Sequence, residues 1–160
     1  MLRIARRFMS STGDTSVSYI AKVQTLGSSA LLGEFTSVGR FDSCFDGMRV
    51  TKIDTEIGMA ECELKVDTRH QNSYGTLHGG AISSLVDIVG TMALLAKDHT
   101  RGGVSIDLNV NYLKAAKVGD TVKIRGQVLK LGKSLGFTQV DIYASDGVSL
   151  LAIGRHTKAM

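Results

Sequence analysis

The sequence predicts an α+β fold in which antiparallel strands pack around one long, buried helix. One segment, 79–97, is apolar on nearly all sides, which is typical of a helix enclosed by the rest of a protein. Six other segments have strand patterns, and the clearest of them alternate apolar and polar residues, the period of a strand with one buried face. Two of them precede the helix and four follow it, which favours an antiparallel sheet closing on a single helix. The 160 residues suffice for one domain with a core of its own.

A basic segment without acidic residues opens the sequence. Arg3, Arg6 and Arg7 lie within residues 1–13, and on a helix they would cluster on one side. This composition is typical of a mitochondrial transit peptide, and the alternative is a disordered basic tail. We therefore expect a leader over residues 1–15 and a single domain over residues 16–160. We also expect mitochondrial localisation, with the cytoplasm as the alternative.

The elements before the long helix follow in order. Residues 16–35 carry apolar side chains at spacings of three and four, which predicts an additional N-terminal helix. A glycine-containing loop then leads to a short strand over 48–54. Residues 59–66 alternate regularly, with Ala60, Cys62 and Leu64 facing one way. Gly58, between these two strands, suits a hairpin turn.

The central helix should run from Gly79 to Lys97. It carries one stripe of small or polar residues at helical spacing, namely Ser83, Asp87, Gly90 and Thr91. Asp87 near the middle of a membrane span would cost about 2.5–3.5 kcal/mol on insertion scales. We therefore expect a buried helix and no membrane span.

Four strands should complete the sheet after the helix. The first, 104–112, alternates strictly, with Val104, Ile106 and Leu108 facing one side and Ser105 and Asp107 the other. A second alternating segment lies at 122–128, and strand patterns at 137–144 and 148–157 complete the set. The last two are joined through Ser145-Asp146-Gly147, a hairpin turn signal.

Composition excludes several classes of function. The formal charge of +4 owes three units to the arginines of the leader, and the remaining sixteen basic and fifteen acidic residues nearly balance. With no basic stripe carrying aromatics, nucleic-acid binding is not expected. Cys44 and Cys62 form no Cys-x-x-Cys pair, which favours free thiols over a redox or zinc role. The four histidines show no His-x-x-x-His spacing, so no metal is expected; they are His70, His78, His99 and His156.

The segment 72–87 is the strongest candidate for an active site. A polar, glycine-rich turn runs directly into the apolar helix, whose first N–H groups and partial positive charge would stabilise an oxyanion. Asp87 lies about two turns inside that helix. A carboxylate among apolar neighbours is costly to bury, and desolvation should make it a better proton acceptor.

Several motifs resemble one family of enzymes. Gly75-Thr-Leu-His-Gly-Gly80, followed seven residues later by Asp87, resembles the signature of hotdog-fold acyl-CoA thioesterases, in the branch that includes phenylacetyl-CoA thioesterases. The likeness continues through the segments 103–109, 128–133 and 154–158. It covers about residues 47–158 in matching order.

The resemblance implies a hotdog fold whose active sites lie at a subunit interface, in a homodimer or a homotetramer that is a dimer of dimers. It implies that Asn72 and the Gly79 N–H polarise a thioester carbonyl and that Asp87 activates water. Ser105 from the neighbouring subunit would position that water, and His78 would orient the turn. Asn72 could instead merely organise the turn. Whether Asp87 is a general base or a nucleophile stays open.

The resemblance also implies where coenzyme A binds. A basic turn around Gly132 offers N–H groups and ammonium groups to a phosphate, although its sequence alone favours a solvated hairpin tip. The implied contacts are Tyr112, Lys114, Lys117, Lys130, Lys133 and Ser134. Coenzyme A is part of the substrate, so no separate cofactor is expected.

The predicted function is hydrolysis of acyl-CoA thioesters, with medium- or long-chain fatty acyl groups, to fatty acid and coenzyme A. A hotdog-fold hydroxyacyl-CoA dehydratase, which uses a His with a carboxylate, is one alternative that His78 keeps open. A non-catalytic acyl-CoA-binding protein is another.

Overall fold

A six-stranded antiparallel sheet and one long helix make up the fold of the computed structural model, which describes residues 41–160. The predicted N-terminal helix and the leader lie outside the described residues. The elements are β1 (Arg49–Asp54), β2 (Met59–Lys65), α1 (Gly79–Lys97), β3 (Val104–Tyr112), β4 (Thr121–Leu131), β5 (Leu135–Tyr143) and β6 (Leu150–Ala159). Short 3-10 turns cover Phe41–Phe45 and Thr68–His70. The α+β prediction is confirmed, including the bounds of α1.

The strands are ordered β1-β2-β4-β5-β6-β3, and every pair is antiparallel. The last strand begins two residues later than predicted. Asp146 accounts for this, because its Oδ1 accepts hydrogen bonds from the backbone of Val148 and Ser149, both at 2.8 Å. These bonds hold both residues in the turn rather than in the ladder.

The core lies between α1 and the inner face of the sheet, and α1 contacts all six strands. Leu85, Val86, Val89 and Met92 on the helix are fully buried. The helix approaches β6 closely at Gly154, where a Cβ would lie 2.4 Å from a methyl carbon of Val86. This spacing requires a residue without a side chain on the strand.

Among the described residues, one helix, α1, is long and apolar enough to cross a membrane. However, 61% of its most apolar window is buried inside the protein. Its contacts with every strand make it the core helix of the domain, as predicted.

Within residues 41–160, strand β3 lies at one edge of the sheet and pairs only with β6. Its strict alternation predicted one apolar face, and this is wrong for its first half. Ser105 lies opposite Lys158 whereas Asp107 lies opposite Thr157, so Ile106 is the extra residue of a β-bulge. The bulge turns Ser105 to the inner face of the sheet, away from the outer face that the alternation assigned to it.

Candidate active site

The turn that precedes α1 is organised by Asn72. Its Oδ1 accepts hydrogen bonds from the backbone of Tyr74 at 2.9 Å and of Thr76 at 3.2 Å, while its Nδ2 donates to the Thr76 hydroxyl at 2.9 Å. The structural role considered for Asn72 is therefore present. The Nδ2 amide has two N–H groups, so a second donor is available to a ligand.

His70 anchors this turn to the start of the domain. Its Nδ1 accepts from the Asp67 N–H at 3.0 Å, and its Nε2 lies 2.7 Å from the Cys44 carbonyl, to which it donates. The ring stacks on Phe45 with 5.4 Å between centroids. The His70 carbonyl also accepts a hydrogen bond from the His78 N–H at 2.8 Å. His70 therefore connects the residue before α1 to the 3-10 turn at Phe41–Phe45.

His78 is the N-cap of α1. Its Nδ1 accepts a hydrogen bond from the Gly80 N–H at 2.8 Å, which satisfies one of the unpaired donors of the first turn. The Gly79 N–H donates to no described residue and lies at the positive end of the helix. A Cβ at Gly79 would lie 3.5 Å from the Tyr112 ring, an ordinary contact distance.

Asp87 lies at the open side of α1, where 49% of its side chain is exposed. Its Oδ1 is 3.2 Å from the Thr91 hydroxyl, 3.5 Å from Nδ1 of His156 and 3.6 Å from Nζ of Lys158. The expectation of a lone acid among apolar neighbours is wrong. β6 directs two polar side chains onto this carboxylate from beneath.

His156 joins Asp87 to Ser105. Its ring is fully buried, and its Nε2 lies 2.8 Å from the Ser105 hydroxyl. Its Nδ1 faces Asp87 but forms no hydrogen bond with any described residue. Ser105 thus lies beside the Asp87 of its own chain, whereas the resemblance assigned it to the neighbouring subunit.

Burial sets the charges in this cluster. Desolvation lowers the pKa of His156 below its ordinary value, although the Asp87 carboxylate acts in the opposite direction. Desolvation likewise lowers the pKa of Lys158, and Asp87 again opposes it. Because an ordinary histidine pKa is 6.5, His156 is neutral at pH 7.

The two halves of the predicted site are separated along α1. Asp87 follows Gly79 by eight residues, which is about 12 Å at the helical rise. One thioester carbonyl cannot contact both the Gly79 N–H and a water held on Asp87 of the same chain. Within a single chain, Asn72 and Gly79 form one cluster, and Asp87, Ser105 and His156 form another.

The predicted coenzyme A contacts also fall into two groups. Lys117 bridges to Thr76 near the start of α1, and the Tyr112 hydroxyl lies 2.8 Å from the Ser83 hydroxyl, one turn into the helix. Lys114 follows β3 and is exposed. The exposed Lys130, Lys133 and Ser134 lie instead beyond the other end of α1, where Arg101 donates to the Lys133 carbonyl at 3.2 Å. One chain does not bring all six together.

Thr91, His156 and Lys158 were not predicted as site residues. A signal for two of them exists, because His156 and Lys158 alternate on β6 at positions that face the core. Buried polar residues on an inward strand face require partners. The partners could not be named from the sequence, since they come from α1 and from the bulged part of β3.

An antiparallel sheet around one buried helix, with a carboxylate, a hydroxyl and an imidazole at its open side, defines a hotdog-fold enzyme. The profile of the thioesterase superfamily matches residues 74–151. Acyl-coenzyme A thioesterase 13 from Homo sapiens is 44% identical over 110 residues, which are 69% of this chain and 79% of that protein. The chain belongs to the thioesterase superfamily.

Solved structures agree with this assignment. Zebrafish thioesterase superfamily member 2 superposes with a TM-score of 0.76 at 38% identity, over 81% of this chain and 92% of that one. A hypothetical thioesterase from Streptococcus pneumoniae, solved with coenzyme A, superposes with a TM-score of 0.68 at 26% identity, over 79% and 91% of the two chains. The prediction of a hotdog thioesterase is confirmed.

Proposed function

We propose that this protein hydrolyses acyl-CoA thioesters with medium or long fatty chains to the free fatty acid and coenzyme A. The observation that carries the proposal is the half-exposed Asp87 carboxylate, which shares one cluster with the Ser105 hydroxyl and the buried His156. The name of the human relative and the coenzyme A bound to the streptococcal structure support the substrate class.

In the proposed reaction, the Gly79 N–H and Nδ2 of Asn72 bind the thioester carbonyl and stabilise the oxyanion that forms from it. Asp87 takes a proton from water as the water oxygen attacks the carbonyl carbon. The carbon–sulfur bond then breaks, and the proton passes from Asp87 to the departing thiolate. Ser105, bonded to His156, orients the water. The reaction requires no cofactor.

We place the complete site between two chains. Asn72 and Gly79 come from one chain and the Asp87 cluster from its partner, because about 12 Å separates the two clusters along α1. The edge of β3 supports this arrangement, since it has exposed apolar residues and a backbone that no described strand pairs on its outer side, and both suit pairing with a second copy. Two such dimers forming a tetramer remain part of the proposal.

The same arrangement accounts for the two groups of coenzyme A contacts. The nucleotide would lie between Tyr112, Lys114 and Lys117 of one chain and the turn of its partner. That turn contributes Lys130, Lys133 and Ser134, whose ammonium, hydroxyl and N–H groups suit phosphates.

Release of free thiol from a panel of acyl-CoA chain lengths tests the activity and its chain preference. Asp87→Asn should lower kcat by about 10²–10⁴. Gly79→Ala fits against the Tyr112 ring without overlap, so it should fold normally yet block the carbonyl from the N–H. Formation of enoyl-CoA in place of free thiol would establish the dehydratase alternative. Binding of acyl-CoA without turnover would establish a non-catalytic acyl-CoA-binding protein.

Subunit complementation tests the composite site. Asn72→Ala and Asp87→Asn chains with different tags are co-expressed, and the mixed dimers are isolated. The isolated mixed dimers should show about half of wild-type activity, because one of their two sites is intact. No recovery would mean that both residues serve the same chain's site.

The Ser105–His156–Asp87 contacts also resemble a nucleophilic triad. We propose water as the nucleophile, because Asp87 lies 3.5 Å from His156 without a hydrogen bond. Ser105→Ala should then cost about 10²-fold or less, whereas removing a serine nucleophile costs about 10⁶. A covalent acyl-Ser105 detected by mass spectrometry would overturn this part of the proposal.

We further propose that residues 1–15 direct the protein to mitochondria, in keeping with fatty acid metabolism. A fluorescent protein fused behind these residues should enter mitochondria. The same fusion with Arg3, Arg6 and Arg7 changed to glutamine should remain in the cytoplasm. Identical distribution of both fusions would reject the proposal.

A further inference from the structure

Lys158 is buried beside the proposed catalytic carboxylate, and the proposed reaction gives it no role. Only 7% of its side chain is exposed. Its Nζ donates to the Thr91 hydroxyl at 2.6 Å and lies 3.6 Å from Oδ1 of Asp87. Lysine is almost never fully buried without a partner, because desolvating an ammonium group is costly. Its position inside the sheet therefore calls for a function.

Lys158 is connected to Asp87 by two routes. One is the direct ion pair with the carboxylate. The other passes through Thr91, whose hydroxyl donates to the Asp87 backbone carbonyl at 2.7 Å while it accepts from Lys158. Both the side chain and the backbone of Asp87 are thus tied to one ammonium group.

The other groups around this pair do not supply the same charge. His156 lies next to Asp87, but burial lowers its pKa and leaves the ring neutral at pH 7. From β3, Ser105 is uncharged and Asp107 carries a negative charge that acts on His156. From β5, the residue opposite Lys158 is Gly136, which has no side chain. Lys158 is the cation that faces Asp87 from beneath.

We propose that Lys158 is a positioning residue that holds the Asp87 carboxylate directed toward the water-binding side of the cluster. This inference rests on the proposed thioesterase function and adds an internal counter-ion to it. It implies that activity requires the charge of Lys158, so that loss of the Lys158 proton limits the rate in base.

The experiment compares pH profiles of kcat/KM for the full-length wild type and three variants on one acyl-CoA. Lys158→Met keeps the length of the side chain but removes the charge, and Lys158→Arg keeps a charge that does not titrate in this range. Lys52→Met removes an exposed lysine on β1 as the matched control. Circular dichroism and urea unfolding verify that each variant is folded.

For Lys158→Met, kcat/KM at neutral pH should fall by about tenfold to a hundredfold, because the carboxylate is no longer held in place. The basic limb should disappear, since no lysine proton remains to be lost. Lys158→Arg should restore kcat/KM and carry the basic limb to higher pH. Lys52→Met should match the wild type.

An unchanged kcat/KM and an unmoved basic limb in a folded Lys158→Met variant would overturn the proposal. If that variant does not fold, the arginine variant decides alone, because an active enzyme with an unmoved basic limb contradicts the proposed role. A wild-type protein that releases no thiol would instead reject the thioesterase function itself. The two failures are therefore distinguishable.

Discussion

The close contact of α1 with β6 at Gly154 gives the sharpest test of the packing that positions Asp87. A Cβ at Gly154 would lie 2.4 and 2.5 Å from the two methyl carbons of Val86, which immediately precedes Asp87. Carbon atoms pack at about 3.5–4.0 Å, so Gly154→Ala forces the helix and the strand apart by about 1 Å.

The cost follows from the overlap. Overpacking a close-packed core costs about 1–3 kcal/mol, and a clash with both methyl groups belongs at about 3 kcal/mol. Val86→Ala alone removes two fully buried methyl groups, at about 2 kcal/mol. In the double variant, the added methyl occupies the vacated space. Its destabilisation should therefore stay near 2 kcal/mol rather than reach the sum of about 5.

Urea unfolding at one fixed protein concentration measures these differences, since the proposed pairing of two chains would make the stability depend on concentration. In thermal unfolding, the Tm of the Gly154→Ala variant should fall by about 6–12 °C, at about 2–4 °C per kcal/mol for a chain of this size. Its thioesterase activity should fall, because separation of α1 from β6 moves Asp87 away from His156. The double variant should recover much of that activity.

Additive destabilisation in the double variant would refute this reasoning, because the two substitutions would then act independently. A Gly154→Ala variant within about 0.5 kcal/mol of wild type would do the same, since it would mean that the helix and the strand separate freely.

Three further predictions concern the ends of α1. Arg101→Met removes donors to the turn carbonyls, so KM for acyl-CoA should rise about tenfold, while KM for an acyl-pantetheine without the nucleotide stays unchanged; equal rises would reject a nucleotide-binding role. His78→Ala should cost about 1 kcal/mol in urea unfolding through loss of the cap on the Gly80 N–H, and no loss would contradict the capping role. Hydrogen bonds from Thr100 and Arg101 lower the pKa of Asp98 to about 2. Its stabilisation is therefore present above the ordinary value of about 3.8 and is lost as pH falls toward 2, and Asp98→Asn should flatten the stability profile only in that window.

Much of the fold could be predicted from local patterns. The bounds of α1 follow from an apolar segment that starts directly after a capping histidine and ends at a lysine. The strands follow from alternation, and their misplaced ends trace to side chains such as Asp146 that hold backbone groups in turns.

The site was predicted less completely, because it depends on contacts between distant elements. The bulge at Ile106 breaks the alternation rule and brings Ser105 inward, and no residue pattern marks it. Lys158 and His156 lie more than sixty residues from Asp87 in the chain, so the acid's polar surroundings could not be inferred from its neighbours in sequence. The contribution that we propose for a second chain leaves no periodic signal at all.

The contact of β6 with α1 determines how far this protein can be truncated. The portion that matches the superfamily profile, residues 74–151, begins after β1 and β2 and stops two residues into β6. A fragment trimmed to those ends would lack two strands, the asparagine of the turn and both basic side chains beneath the acid. We therefore expect the smallest active fragment to be longer than the segment that matches the profile. It should extend at least from Cys44 and Phe45, which the His70 ring contacts, to the end of β6.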